Sequence, residues 1–302
     1  MELIGKTSID FIGKRHIAFI ISGIIALLGI TGVIQVARSA ANMGIDFTGG
    51  TVVQMKFTTP VHIEQARAAL DRHNLKGANL QEIRDGNKLL IKIGKTNLAV
   101  GKVADTIEDV FKKEFPGNNF IMESTTEIGP SVGDKLRKDT MVAVALSLLG
   151  IIIYIAWRFD FKFGIGAIVA TLHDVLAMFA VFFLFNKEIN LLFITAVLTV
   201  AGYSLTDTVV VFDRIRENLH KNLKEALPTI FNKSINEVLS RTIVTSLTAF
   251  LAASSLFLFG GEVIHDFASA LMVGIAVGTY SSVFVASPIV VVLESRSGGS
   301  KA

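Results

Sequence analysis

The apolar positions of this chain fall into six long, nearly uninterrupted stretches, at 17–37, 140–157, 164–185, 190–212, 242–260 and 267–293. A hydrocarbon layer of roughly 30 Å needs about 20 apolar residues of helix, so each stretch predicts a transmembrane helix. Between the first and second the pattern changes. Residues 51–57 (TVVQMKF) alternate, with Val53, Met55 and Phe57 on one face, which predicts a strand. Thr59-Pro60 has the form of an N-cap followed by a first-turn proline and opens a predicted helix over 60–73 that buries Ile63, Ala66 and Leu70. Residues 79–84 and 87–93 flank Asp85-Gly86, a hairpin-type turn, and put Leu89, Ile91 and Ile93 on a common face. Residues 99–114 space Val103, Ile107, Val110 and Phe111 as a helix, and 119–127 form a last strand. The order βαββαβ is the split βαβ pattern of a ferredoxin-like α+β domain. The predicted architecture is therefore a six-helix membrane bundle with a small α+β domain inserted at 38–139. The remaining segments are 1–16, a five-helix region over 140–293 with a loop at 213–241, and a tail at 294–302.

Composition sharpens this division. The chain has 302 residues, is 51% hydrophobic and only 18% charged, and 28 of its 55 Asp, Glu, Lys and Arg residues lie in 37–139. This balance excludes a disordered chain and a nucleic-acid module built on a dense basic face. There are no cysteines, hence no disulfide, thiolate metal site or thiol nucleophile. The first stretch is longer than the core of a typical signal peptide and reads as an uncleaved anchor. With the N-terminus placed in the cytoplasm, the inside segments 1–16, 158–163, 213–241 and 294–302 hold 13 Lys and Arg residues, against one, Lys187, in the short outside loops. The positive-inside rule then puts both termini in the cytoplasm and residues 38–139 outside.

Candidate chemistry is confined to a few positions. The inserted domain offers no catalytic set: His62 and His73 read as solvated, and Gly94-Lys95-Thr96 lacks the first glycine of a P-loop because position 89 is leucine. Within the apolar stretches the ionisable residues are His173, Asp174 and Asp207. A mid-helix carboxylate costs about 2.5–3.5 kcal/mol to insert, so it calls for a reason. Ser204, Thr206 and Thr208 stand within hydrogen-bonding reach of Asp207 along its helix, and Arg241, opening the fifth stretch, could extend toward it as counter-charge. An apolar site favours the protonated carboxyl and a nearby arginine the ionised one, so the pair suits either a proton relay or a static structural pairing. His173-Asp174 could join a polar path or form a packing network with neighbouring hydroxyls. Asp213, Arg214, Arg216 and Glu217 read as a solvated interfacial turn. Ile230, Ile235, Val238 and Leu239 suggest an amphipathic helix lying on the inner surface. Gly274 and Gly278, and Gly164 and Gly166, read as close-packing sites.

Together these residues resemble a known family. Gly44-Ile45-Asp46-Phe47-Thr48-Gly49-Gly50, just after the first stretch, is similar to the signature of the SecD/SecF bacterial protein-export membrane proteins. Arg158-Phe159 before Gly164, His173-Asp174, GYSLTDTVVVFDRIREN (202–218), SRTIVTSLT (240–248) and the run from Asp266 to Pro288 follow the same family in order and spacing. One inserted domain in a chain of this length resembles the SecF branch. The resemblance implies the fold of the resistance-nodulation-division (RND) transporters, a bacterial cytoplasmic (inner) membrane location and pairing with SecD. It implies work alongside the SecYEG channel, SecA and YajC on unfolded preprotein, driven by the proton gradient, with no cofactor and no ATPase of its own. Asp207 matches the family's proton-path aspartate and Arg241 its partner arginine; Gly44, Asp46, Phe47, Gly49 and Gly50 match the signature. Two other readings stay open: half of a small-molecule or lipid exporter of the same class, and a passive scaffold.

Overall fold

The computed structural model describes residues 7–38, 40–83, 87–94, 101–221 and 224–298. The Asp85-Gly86 turn, Lys95 and Thr96 of the discarded phosphate-loop reading and the last four residues of the tail lie outside the described residues. The chain separates into two compact units, one formed by residues 1–42 and 143–302 and the other by residues 43–142.

The smaller unit opens with α2 (Ile45–Thr48), β1 (Gly50–Phe57) and α3 (Ile63–Arg72). It continues through β2 (Asn79–Ile83), β3 (Lys88–Ile93), α4 (Lys102–Glu114) and β4 (Phe120–Ile128). The sheet order is β2-β3-β1-β4, antiparallel throughout, which is the ferredoxin-like arrangement that the strand and helix order predicts. Register follows the alternation: Val53 faces Ile91, Met55 faces Leu89, and Phe57 faces Phe120. These side chains share a core with Ala66, Leu70, Val103, Ile107, Val110 and Phe111. The Phe57, Phe111, Phe115 and Phe120 rings cluster at one end with centroids 5.4–5.6 Å apart along the chain of contacts. The first helix begins later than Thr59-Pro60 predicts. Thr59 instead exchanges hydrogen bonds with Asn118, which keeps this segment extended, and α3 starts at Ile63. His73 is also not merely solvated: its Nε2 lies 3.1 Å from Glu114, which Arg72 pairs as well.

On the open face of this sheet Lys88 donates to Glu123 at 2.8 Å, and Gln54 donates to the same oxygen. The lysine hydrogen bond, against an opposing desolvation, holds the Glu123 carboxyl below its ordinary value of 4.5. A depressed carboxyl contributes stability above its unfolded value and loses it as pH falls through the folded one. Glu123→Gln should therefore flatten the acid limb of the unfolding curve below about pH 4.5 and leave neutral stability within about 0.5 kcal/mol. Thermal unfolding across pH checks this.

The larger unit is the helical bundle. Its first helix, α1 (Arg15–Ala37), is followed after the smaller unit by α5 (Pro130–Arg158), α6 (Phe161–Leu184), α7 (Leu191–Lys221) and α8 (Leu227–Phe259). The last span is α9 (Gly261–Ser281), a π-helical turn over Ser282–Ala286, and α10 (Ser287–Gly298). Among the described residues, six helices are long and apolar enough to cross a membrane. Helix α1 packs through small residues, Ala18, Ser22, Gly29 and Gly32: Gly29 and Gly32 lie against Leu176, Phe179 and Phe183 of α6, and Ala18 and Ser22 meet Tyr280 of α9. A Cβ on Gly29 would lie 2.1 Å from the backbone oxygen of Leu176, so this contact tolerates nothing larger than glycine. The π-turn has a local cause. Pro288 has no N–H to return to the preceding turn, and Ser287 Oγ adds a donor to the carbonyl of Ser282, five residues back.

Two expectations change here. Residues 213–221 are not a turn: α7 runs on as helix to Lys221, with Arg158 bound to both carboxylate oxygens of Asp213 at 2.7 and 2.6 Å and Arg214 bound to Glu217 and Glu237. The amphipathic segment at 230–239 is not a separate surface helix either. With no breaker between Pro228 and Gly260, α8 continues through it into the span; Ile230 is buried, and Phe231, Ile235 and Leu239 share a buried cluster with Phe212 and Ile215 of α7. The outer side of the same helix grips the N-terminal segment. Asn232 Oδ1 accepts from the Phe11 and Ile12 amides, Asn236 exchanges bonds with Ile9, and Phe11 and Ile12 join the buried cluster.

Candidate functional site

Three features build the site: the α7–α9 seam, the carboxylates on its two sides, and the hydroxyls that link them. The seam exists because α9 is stripped of side chains where α7 crosses it. A Cβ on Gly274 would stand 2.4 Å from Val200 Cγ2, and one on Gly278 would stand 2.9 Å from Ser204 Cβ. This bears out the close-packing role expected for these two glycines. Gly166 does the same for α6, where a Cβ would meet Val290, the Ala286 carbonyl and Phe212. Gly164 is different, since its nearest neighbour would be at ordinary contact distance.

On the α8 side of the seam lies Asp207, 5% exposed. Its Oδ2 accepts from Ser246 Oγ of α8 at 3.2 Å, and Thr279 of α9 in turn donates to Ser246 at 2.7 Å. The hydroxyls expected around Asp207 from its own helix do other work. Ser204 points to the opposite side of α7, and Thr206 back-bonds to Gly202 on an exposed face. Thr208 is buried. Arg241 does not reach Asp207 as an ion pair: it lies on an exposed face of α8, and no pairing within 4.0 Å joins the two among the described residues. Its charge acts on Asp207 through space only.

On the α6 side lies Asp174, fully buried. Its Oδ2 accepts from Ser204 Oγ of α7 at 2.5 Å and from Ser281 Oγ of α9 at 2.8 Å. Its Oδ1 lies 3.1 Å from Nδ1 of His173, itself 5% exposed. Successive helix positions normally point apart, yet the imidazole curls back along the helix so that its near nitrogen meets the neighbouring carboxylate. The network beside Asp174 is thus denser than the one beside Asp207, the reverse of the weight that spacing alone suggests. Spacing could not reveal it, because Ser204 and Ser281 come from helices 77 positions apart in sequence. The residues set two hydrogen-bonded networks on opposite sides of one helix seam: α7 contributes Asp207 to one and Ser204 to the other, and α9 contributes Thr279 to the first and Ser281 to the second. Among the described residues no three His, Cys, Asp or Glu side chains group as a metal site.

In the smaller unit the signature Gly44–Gly50 forms a joint rather than a reactive site. Asp46 and Phe47 lie in the one-turn α2, with Phe47 buried. Gly49 and Gly50 have φ of +72° and +146°, a region that side-chain-bearing residues avoid. Added Cβ atoms would also strike Pro130 from Gly49 and the Ile93 carbonyl from Gly50. Two glycines are what lets the chain turn into β1 directly beneath the start of α5.

Residues 106–296 match the family described as protein export membrane protein SecD/SecF, C-terminal, and residues 41–61 match the SecD/SecF GG motif. The chain belongs to the SecD/SecF protein-export family. Relatives named protein translocase subunit SecF agree along its length. That of Thermodesulfovibrio yellowstonii is 52% identical over 98% of both chains, and that of Calditerrivibrio nitroreducens 41% identical over 98% of this chain and 97% of the relative. Among solved structures, SecDF of Thermus thermophilus, described as a translocon-associated membrane protein, superposes with a TM-score of 0.86 at 33% identity. A SecDF structure in a super-membrane-facing form gives 0.71, also at 33% identity. This chain spans 40% of the length of the first SecDF polypeptide. The fold is thus that of the SecF-type membrane subunit of a protein translocase, a multi-pass membrane protein.

Proposed function

We propose that the chain works with SecD as a proton-gradient-driven subunit that completes preprotein translocation at the outer side of the bacterial cytoplasmic membrane. The Lys and Arg distribution supports cytoplasmic termini and an outside position for residues 38–139. SecYEG, SecA and YajC are the further partners that the family suggests, with SecA supplying ATP-driven work from inside and this chain hydrolysing nothing itself. The observation that carries the reading is Asp207, a carboxylate buried between membrane helices and held by a single hydroxyl rather than by an ion pair. Such a group is costly as an anion and has no partner that locks it in that state. A proton arriving from outside neutralises it and removes its attraction to Arg241. Helices α7 and α8 then repack, and the Ser246–Thr279 bond carries the change to α9. The outside domain shifts its hold on the emerging polypeptide, which it meets through apolar and backbone contacts.

The test uses inverted membrane vesicles with and without the chain, at saturating ATP, translocating a preprotein arrested late. Collapsing the gradient with a protonophore should slow completion in vesicles that contain the chain and have little further effect in those that lack it. Equal sensitivity in both preparations would overturn the reading.

A further inference from the structure

Beside Asp207 the bundle contains a second ionisable cluster that the cycle above does not use. We propose that His173 and Asp174 form a separate proton-binding site, in which Nε2 of His173 takes up the proton and Asp174 serves as its fixed counter-anion. The assignment of a transport role to this site rests on the proton-driven reading above; its existence as a binding site does not.

The hydrogen bonds define which atom is available. Both hydroxyls that reach Asp174 converge on Oδ2, and His173 Nδ1 faces Oδ1. An ionised Asp174 accepts all three, so Nδ1 carries the ring hydrogen and Nε2 presents a lone pair. That nitrogen is buried and has no hydrogen-bond partner among the described residues. A purely structural role would need only the Nδ1 donor, and a side-chain amide supplies one. The second nitrogen is the part of histidine that such a role leaves unused. Adding a proton to Nε2 turns the ring into imidazolium against the carboxylate and takes the pair from a net charge of −1 to zero. Inside a membrane the neutral sum removes the cost of an isolated anion, while the new N–H has no acceptor. Those opposing costs leave both states within reach.

The surroundings hold few competing charges. The elements packed against α6 are α1, α7, α9, the π-turn and α10. At the level of His173 their titratable groups are Tyr203 and Asp207 on α7 and Tyr280 on α9, whose ring centre is 6.2 Å from that of the imidazole. Tyr280 OH is engaged with Ser22 and the Ala18 carbonyl of α1. Among the described side chains, the other charged residues on these elements lie toward helix ends: Arg15 and His16, the Asp213–Lys221 segment, His265 and Asp266, and Glu294 and Arg296. On α6 itself, Lys162 pairs with Glu294 near the opening of the helix. The site is also wired to the seam. Ser281 is the last residue of α9 before the π-turn, and Ser204 sits over the bare Gly278. A change in how strongly Asp174 draws these hydroxyls acts on the same α7–α9 contact that Asp207 reaches through Ser246 and Thr279.

Nitrogen NMR of the full chain in lipid nanodiscs, with histidine isotope-labelled in the ring, reads the site directly. His173→Gln identifies its signals among the six histidines, or, where that variant does not fold, a chain retaining His173 as its sole histidine does so. Nε2 should be unprotonated in alkaline buffer and become protonated on acidification between about pH 5 and 8. Asp174→Asn should change the pH response of the Nε2 signal, since the counter-anion is gone. Asp207→Asn should leave the titration in place, which separates this site from the reading it extends. A ring that keeps one protonation state from about pH 5 to 9, or a midpoint unmoved in Asp174→Asn, overturns the proposal. In vesicles, His173→Gln should assemble normally and change the pH profile of gradient-stimulated translocation; an unchanged profile would remove the transport role.

Discussion

Replacing Gly274 with valine should break the bundle apart at the α7–α9 seam. The new Cβ would sit 2.4, 2.7 and 3.0 Å from Val200 Cγ2, Cγ1 and Cβ, all three well inside contact distance. Val200 cannot turn aside, because a β-branched residue in a helix has one strongly preferred rotamer. The helices must therefore move apart. Overpacking of this kind costs about 1–3 kcal/mol in ordinary cores, and a rigid neighbour puts it at or above the upper end. The damage extends beyond the contact, because Gly278 one turn later holds Ser204 against α9 within reach of Asp174. Gly202→Ala is the control. It lies in α7 with nothing within 4 Å of an added Cβ, and alanine favours helix by up to about 1 kcal/mol over glycine. In detergent, Gly274→Val should unfold several degrees below the parent and lose a single size-exclusion peak, with Gly202→Ala at or above the parent. A Gly274→Val chain as stable as the parent would mean that the seam is looser than its geometry.

That seam also marks where sequence reading works and where it stops. Long apolar runs and strict alternation are local signals, so the six spans and the βαββαβ order were open to inspection. The two glycines of α9 and those before β1 could be recognised because only glycine meets such demands. What stayed hidden depends on residues far apart in the chain. Nothing in the spacing of His173 and Asp174 announces Ser204 or Ser281. The α1 stripe of Ala18, Ser22, Gly29 and Gly32 blends into an apolar run, although it is what lets α1 settle on α6 and α9. The segment at 230–239 has an amphipathic period whether it rests on lipid or on α7, and only the tertiary contact decides between them. The Asp207–Arg241 pairing shows the same limit from the other side. Helix register put both residues in one region, but side-chain direction left the arginine outward and gave the carboxylate to Ser246.

This arrangement makes Asp207→Asn the sharpest functional test. Asparagine keeps the volume of the side chain and can still bond Ser246, so the packing of α7, α8 and α9 should survive. Removing a charge that costs about 2.5–3.5 kcal/mol to bury should, if anything, ease insertion and assembly. What asparagine cannot do is gain and lose a proton. Each elementary charge crossing 100 mV releases about 2.3 kcal/mol, and switching a two-state element from 1:99 to 99:1 takes about 5.5 kcal/mol, so about three charges at that potential suffice. On the proposed cycle, an asparagine that stays neutral in both halves cannot draw on that energy at this position. Translocation in Asp207→Asn vesicles should fall to the rate seen without a gradient, while co-purification with SecD and ATP-driven early steps stay at parent levels. Because the side chain rests on a hydroxyl and not on Arg241, the defect should not be rescued by neutralising the arginine as well, as a broken static pair would be. Gradient stimulation that persists in the asparagine variant, or its recovery in Asp207→Asn with Arg241→Gln, would instead mark Asp207 as a structural charge.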